Sequence, residues 1–194
     1  GGAGRGGVGG TRGGEREGSP GARGIRSGTR GRQILAERVI GGVVYPASEL
    51  SATGVVKHIE GDRFPVGELD GTTSERALRV SECFTRAGFK APVLDDIRSE
   101  IWLKLWGNLT FNPISALTGS TLVDICQYQP TRALAAAMMT EAQHIAHKLG
   151  ITFRVSLEKR IAGAEKVGKH KTSMLQDIQA GRPPEIDALV GAVV

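Results

Sequence analysis

The chain has 194 residues, of which 25 are Lys or Arg and 20 are Asp or Glu, for a formal charge of +5. Residues 1–32 hold 14 Gly and seven Arg against only Glu15 and Glu17, while residues 33–194 hold 18 basic and 18 acidic residues. A basic tail thus precedes a neutral body, and the sequence pI of about 9.5 does not describe a basic folded domain. No run of 18 apolar residues is present, so no membrane partner is expected. Two cysteines, Cys83 and Cys126, suit reduced thiols in the cytoplasm better than a disulfide scaffold.

The tail opens "GGAGRGGVGG", in which Gly2, Gly4 and Gly7 satisfy G-x-G-x-x-G. A dinucleotide loop needs a buried strand before it and a helix after it, and neither pattern surrounds these glycines. The match is therefore incidental. "RGG" at Arg5 and Arg12 could attract phosphate, but no aromatic residue is interleaved. Nucleic acid is not the expected partner, and residues 1–32, with little to bury, are expected to be disordered.

The body is long enough for one modest domain or parts of two. "RVIGGVVYP" (38–46) reads as a strand, and 54–69 as two strands around a turn at Gly61-Asp62. The next helix starts at Ser74 as N-cap, carries the stripe Ala77, Val80, Phe84 and Ala87, and stops at Gly88. "APVLDD" (91–96) is a further short strand. Beyond it the pattern is helical. Ile97, Ile101, Leu105 and Leu109 recur at i+4 along "DIRSEIWLKLWGNLTFNP", which should kink or end at Pro113. A helix with Pro130 near its start and Gly150 past its end follows. Two shorter helices cover 156–168 and 173–181, and a last one begins at Pro184. That helix is still apolar where the sequence stops, which reads as a truncated domain.

Lys104, Asn108 and Asn112 stack on one face of the long helix, beside its apolar stripe. A sheltered ammonium with two amides suits a small molecule bearing a carboxylate and a carbonyl. The same three residues could equally be a surface lysine with two amides that cap an irregular turn. Ser173 and Glu185 open the last two helices, where Ser often caps and Glu meets the helix dipole. Glu141, His144 and His147 imitate a di-iron ligand helix, but no second E-x-x-H accompanies them, so no metal is expected. Cys83 and Cys126 read as core or near-core thiols.

"SEIWLKLWGNLTFNPISALTG" taken with "HKTSMLQDIQAGRPPEIDALVGAVV" resembles the 2-dehydropantoate 2-reductase (ketopantoate reductase) family, from about Val39 to Val194. The likeness rests on a K-x3-N-x3-N-P helix, then S-M-x-Q-D, then E-I-D. It implies an α/β fold: the end of a Rossmann-type nucleotide-binding domain over 33–96, then an all-α helical C-terminal domain over 97–194. It implies NADPH-dependent reduction of a 2-oxo acid, ketopantoate to pantoate, on the route to pantothenate and coenzyme A. It admits a homodimer.

By the same resemblance, Lys104 is the catalytic general acid, Asn108 and Asn112 bind substrate, Ser173 hydrogen-bonds substrate, and Glu185 contacts the cofactor. The chain departs from the family in lacking a fingerprint loop ahead of the strands. It offers Ser120 and Thr121 where the family has a further substrate amide, and Pro184 where Thr often precedes E-I-D. The chain alone is accordingly expected to be inactive. A related NADPH-dependent 2-oxo-acid reductase and a non-catalytic helical interaction module remain open as alternatives.

Overall fold

The computed structural model describes residues 25–26, 33–34 and 38–194. Two compact units divide the chain, Gly1–Val39 and Ile40–Val194. In the first, β1 (Ile25–Arg26) pairs antiparallel with β2 (Gln33–Ile34). Of this ladder only β1 falls within residues 1–32, the segment expected to be disordered. The rest of that expectation, and the Gly2–Gly4–Gly7 match, lie outside the described residues.

The second unit begins with strands. β3 (Ile40–Gly42) pairs antiparallel with β6 (Val66–Glu68), Gly41 opposite Gly67. β4 (Ala47–Ala52) and β5 (Val55–Glu60) form a hairpin between them. Its tip is Thr53-Gly54, with Gly54 at φ 77°. The two strands expected around Gly61-Asp62 are β5 and β6, but they pair with β4 and β3 and not with each other. Gly61 also has a positive φ, of 80°, but it lies after β5, where the chain turns toward β6. The expected strand at 91–96 is reduced to single parallel bridges, Arg63 with Lys90 and Val66 with Val93.

α1 (Glu75–Arg86) starts as expected, with Ser74 Oγ accepting from Ala77 N at 3.1 Å. It ends at Gly88, φ 91°. Phe84 on α1 stacks on Phe64 at 4.9 Å. Cys83, expected near the core, is exposed, because it lies off the α1 stripe that packs inward.

α2 (Ile97–Thr118) is the axis of the unit. Asp96 Oδ1 caps it by accepting from Ser99 N at 3.0 Å. Its first turn sits directly on the β3–β6 ladder, where a Cβ on Gly41 would lie 2.8 Å from Ile97 and one on Gly67 2.3 Å from the Leu94 carbonyl. The two bare glycines thus set how closely strand and helix approach. α2 does not end at Pro113. It continues to Thr118 and stops at Gly119, φ 70°. A proline removes one N–H and one turn's bond, and buried neighbours on both sides hold the helix together across that gap.

α3 (Leu122–Gln127), a short helix without an expected counterpart, follows. α4 (Gln129–Lys148) has Pro130 in its first turn and Gly150, φ 76°, past its end, as its sequence implied. α5 (Leu157–Lys166) and α6 (Ser173–Gln179) complete the helical layer. The last expected helix is a single π-turn, Asp187–Gly191. α3, α4, α6 and the π-turn all pack on α2. The core is Trp106, Ile125, Cys126, Met139, Ala135 and their neighbours. Trp106 is fully buried, donates to the Met139 carbonyl at 2.8 Å and stacks on Phe153 at 4.2 Å. Among the described residues no helix is long and apolar enough to cross a membrane.

Candidate active site

The site is built on one side of α2, where its N-terminal half faces the segment after β3 and the start of α5. Val43 and Tyr45 extend the β3 ladder by donating to Pro65 and Arg63. Alternation leaves Val44 facing the other way, and its carbonyl accepts from Lys104 Nζ. Tyr45 turns its ring toward α2. The Lys104 ammonium lies 5.7 Å from that ring's centroid, and the Arg63 guanidinium lies 5.3 Å from it.

Glu100, one turn before Lys104, is 2% exposed. Its Oε1 accepts from Tyr45 Oη at 2.8 Å and from Arg63 Nη1 at 2.5 Å, and its Oε2 accepts from Arg154 Nη2. Burial alone would raise its pKa. The hydrogen bonds from Arg63 and Tyr45 and the two arginine charges outweigh burial and hold it below the ordinary carboxylate value. Tyr45 is pushed up to about 12, by burial first and then by Glu100. A glutamate at i often pairs with a lysine at i+4 on a helix. The structure instead spends Glu100 on other partners.

Lys104 is half-buried, and burial lowers its pKa. It lines a cavity of about 240 Å³ together with Tyr45, Leu103, Val155, Lys159 and Arg160. Arg160, on α5, was not singled out by sequence. A Lys-Arg pair in a polar helix looks like a solvated face, and its one visible signal was Gly107, bare in the middle of α2. A Cβ on Gly107 would lie 2.0 Å from Arg160 Nη2, so the guanidinium rests where that side chain is missing. Burial lowers the Arg160 pKa, with Tyr45 opposing. A guanidinium stays charged at neutral pH regardless.

The other expected residues are placed as follows. Asn108 is half-buried, with no side-chain hydrogen bond among the described residues. Asn112 is 5% exposed and its Nδ2 has no partner among the described residues. Neither amide caps a break, since α2 runs on. Ser173 is exposed at the start of α6, and the cap is Thr172, whose Oγ1 accepts from Leu175 N at 3.3 Å. Glu185 is exposed just before the π-turn, its carbonyl accepting from Leu189 N at 3.1 Å. The cavity brings Lys104 together with Tyr45 and Arg160, and its lining includes none of Asn108, Asn112, Ser173 or Glu185. Those four lie on α2 itself or on elements that pack against it. Thr121 is taken up in capping α3, its N and Oγ1 both bonding Asp124 Oδ2.

A helical domain arranged round one long helix and entered through short strand ladders is the class of fold these elements define. The ketopantoate reductase PanE/ApbA C-terminal family matches residues 96–194, and the chain belongs to it. A 2-dehydropantoate 2-reductase of Mesorhizobium japonicum is 59% identical over 162 residues, which cover 84% of this chain and 50% of that protein. The crystal structure of 2-dehydropantoate 2-reductase from Methylococcus capsulatus superposes with a TM-score of 0.72 at 30% identity, covering 79% of this chain and 50% of that one. A D-mandelate dehydrogenase solved with NADH and anilino(oxo)acetate has a TM-score of 0.73 at 22% identity, over 83% of this chain and 54% of that one, a likeness of fold alone. The chain spans about half the length of the curated relatives it matches.

Proposed function

We propose that the chain carries the substrate and proton-transfer residues of an NADPH-dependent 2-dehydropantoate 2-reductase, with its strands belonging to the end of the nucleotide-binding domain. The observation that carries this reading is Lys104: a half-buried ammonium in a cavity, with lowered pKa and no carboxylate partner among the described residues. Reduction of a 2-oxo acid builds negative charge on the carbonyl oxygen. An ammonium facing that oxygen stabilises the charge and delivers the proton from Nζ. A lowered pKa makes the same group a better acid, and its hold on the Val44 carbonyl fixes where Nζ sits.

Asn108 and Asn112 follow Lys104 on the same face, and the orphaned Nδ2 of Asn112 is a donor waiting for an acceptor. Ser173, released from capping by Thr172, keeps its hydroxyl free for substrate. Glu185 presents an exposed carboxylate with no side-chain hydrogen bond among the described residues, which suits a contact with the hydroxyl or amide groups of the dinucleotide. The nicotinamide, when bound, supplies the hydride. None of the described residues forms a glycine cradle at a helix start, so the pyrophosphate is assigned to residues outside them.

Because the chain spans about half of its relatives, the test joins it to the nucleotide-binding region of the Mesorhizobium japonicum enzyme and follows NADPH oxidation by ketopantoate. Lys104→Met should lower kcat/KM by about 10²–10⁴-fold, the usual loss for a positioned general acid. Asn108→Ala should mainly raise KM. In the wild type the rate should fall as pH rises through the lysine pKa, and Lys104→Met should lose that limb. Undiminished turnover in Lys104→Met ends the proton-donor role.

A further inference from the structure

The cavity beside Lys104 is lined by three cations, Lys104, Lys159 and Arg160, and among the described residues by no carboxylate. Lys159 is exposed and solvated. Arg160 is different. Its Nε is buried without a hydrogen-bond partner, and it has no ion pair among the described residues. A guanidinium nitrogen sealed from water without an acceptor is unfavourable, and folded chains normally supply one. Elsewhere on α2, seven residues before Gly107, the buried carboxylate of Glu100 takes two partly exposed arginines, Arg63 and Arg154. At Arg160 the chain does the opposite. α2 gives up a side chain at Gly107 so that the guanidinium can lie there, and no acceptor is provided.

The geometry points to Arg160 as the residue that takes the carboxylate of the 2-oxo acid, in the same cavity where Lys104 meets its carbonyl oxygen. The inference rests on the reading of Lys104 given above. A 2-oxo acid holds its carboxylate and carbonyl on adjacent carbons, so two cations lining one cavity can engage both groups at once. The planar fork of arginine matches a carboxylate by two parallel hydrogen bonds, which a lysine cannot reproduce. Bound substrate would satisfy Arg160 Nε or Nη2 and neutralise the excess charge of the cavity. Selectivity would follow, because a neutral carbonyl compound leaves the guanidinium buried and unpaired.

The test is calorimetric titration of the 194-residue chain with ketopantoate and with ketopantoyl lactone, which keeps the carbonyl and lacks the carboxylate. Wild type should bind ketopantoate more tightly than the lactone. Arg160→Gln should weaken ketopantoate about 10–100-fold, the range for losing a charge-assisted contact, and leave the lactone unchanged. Arg160→Lys should recover only part of the loss. The thermal midpoint of Arg160→Gln without ligand should equal or exceed that of wild type.

Unchanged ketopantoate affinity in Arg160→Gln overturns the inference. Equal losses for both ligands with a lowered midpoint mark a structural role and overturn it too. If Lys104→Met weakens ketopantoate while Arg160→Gln does not, the inference falls and the lysine reading stands. Wild type that binds no ketopantoate also overturns the inference, and turnover in the joined enzyme then decides the lysine reading separately.

Discussion

Two groups of charge lie one turn apart on α2. Around Glu100, a single buried carboxylate meets Tyr45, Arg63 and Arg154, and every buried atom of that carboxylate has a donor. Around Lys104 and Arg160, cations line a cavity with the Tyr45 ring and, among the described residues, no carboxylate. Glu100 is 2% exposed, whereas Lys104 and Arg160 are only partly buried. The first group has the complementarity of a structural joint, tying the strands to α2 and to the segment before α5. The second has the imbalance of a place shaped for something else. Matched buried charge argues for architecture, and unmatched buried charge argues for a ligand.

Breaking the matched group should have the largest effect on stability. Loss of one partner from a fully buried pair costs about 3–5 kcal/mol, and both arginines here are partly in water, so Glu100→Gln should cost about 2–3 kcal/mol. Urea unfolding at neutral pH measures this. The pH dependence follows from the lowered Glu100 pKa. A carboxylate bound more tightly in its charged form stabilises the fold above its unfolded pKa. That contribution is lost as pH falls through the folded value. The gap between wild type and Glu100→Gln should therefore close below about pH 4.

The unmatched group should respond in the opposite direction. Removing the partly desolvated ammonium in Lys104→Met should raise stability by about 0.5–1 kcal/mol at neutral pH while lowering kcat/KM of the joined enzyme, the usual trade at a functional site. Its pKa is lowered by burial, so the penalty is present below the folded pKa and disappears as pH rises past the unfolded value. The advantage of Lys104→Met should vanish at strongly alkaline pH. A destabilised Lys104→Met would erase the contrast between the two groups.

The smallest expected effect is at Gly107. Alanine there gains up to about 1 kcal/mol of helix propensity and displaces the guanidinium of Arg160, the far end of a flexible side chain, so the thermal midpoint should rise slightly. Carboxylate affinity should fall at the same time. A gain in both would detach Gly107 from the site.

How much of this was legible in the sequence depends on how far apart the interacting residues are. Ser74, Pro130, Gly88 and Gly150 were readable because caps act within a turn. The Lys104–Asn108–Asn112 face was readable because helical spacing alone puts them together. Glu100 was not, since its arginine partners are 37 and 54 positions away. Arg160 was hidden for the same reason, its seat being a missing side chain on another helix. The turn at Gly61 was legible from its own residues, but the partners of β5 and β6 were not, since pairing is decided between whole strands. α3 escaped because six residues hold too few turns for a period to show. Pro113 was read by its local cost, which tertiary contacts along α2 override.

The stacked Trp106 makes the molecule readable by light. Its indole is sealed from water, hydrogen-bonded at Nε1 and laid flat on Phe153. An indole so enclosed emits to the blue of a hydrated one and resists quenching by dissolved iodide. The chain's other tryptophan, Trp102, sits one turn earlier on α2 and is partly open to solvent. A quencher therefore divides the emission into an outer and an inner share. The inner share is carried by the residue between Leu105 and Gly107, so its colour reports whether the wall behind Lys104 and Arg160 is intact.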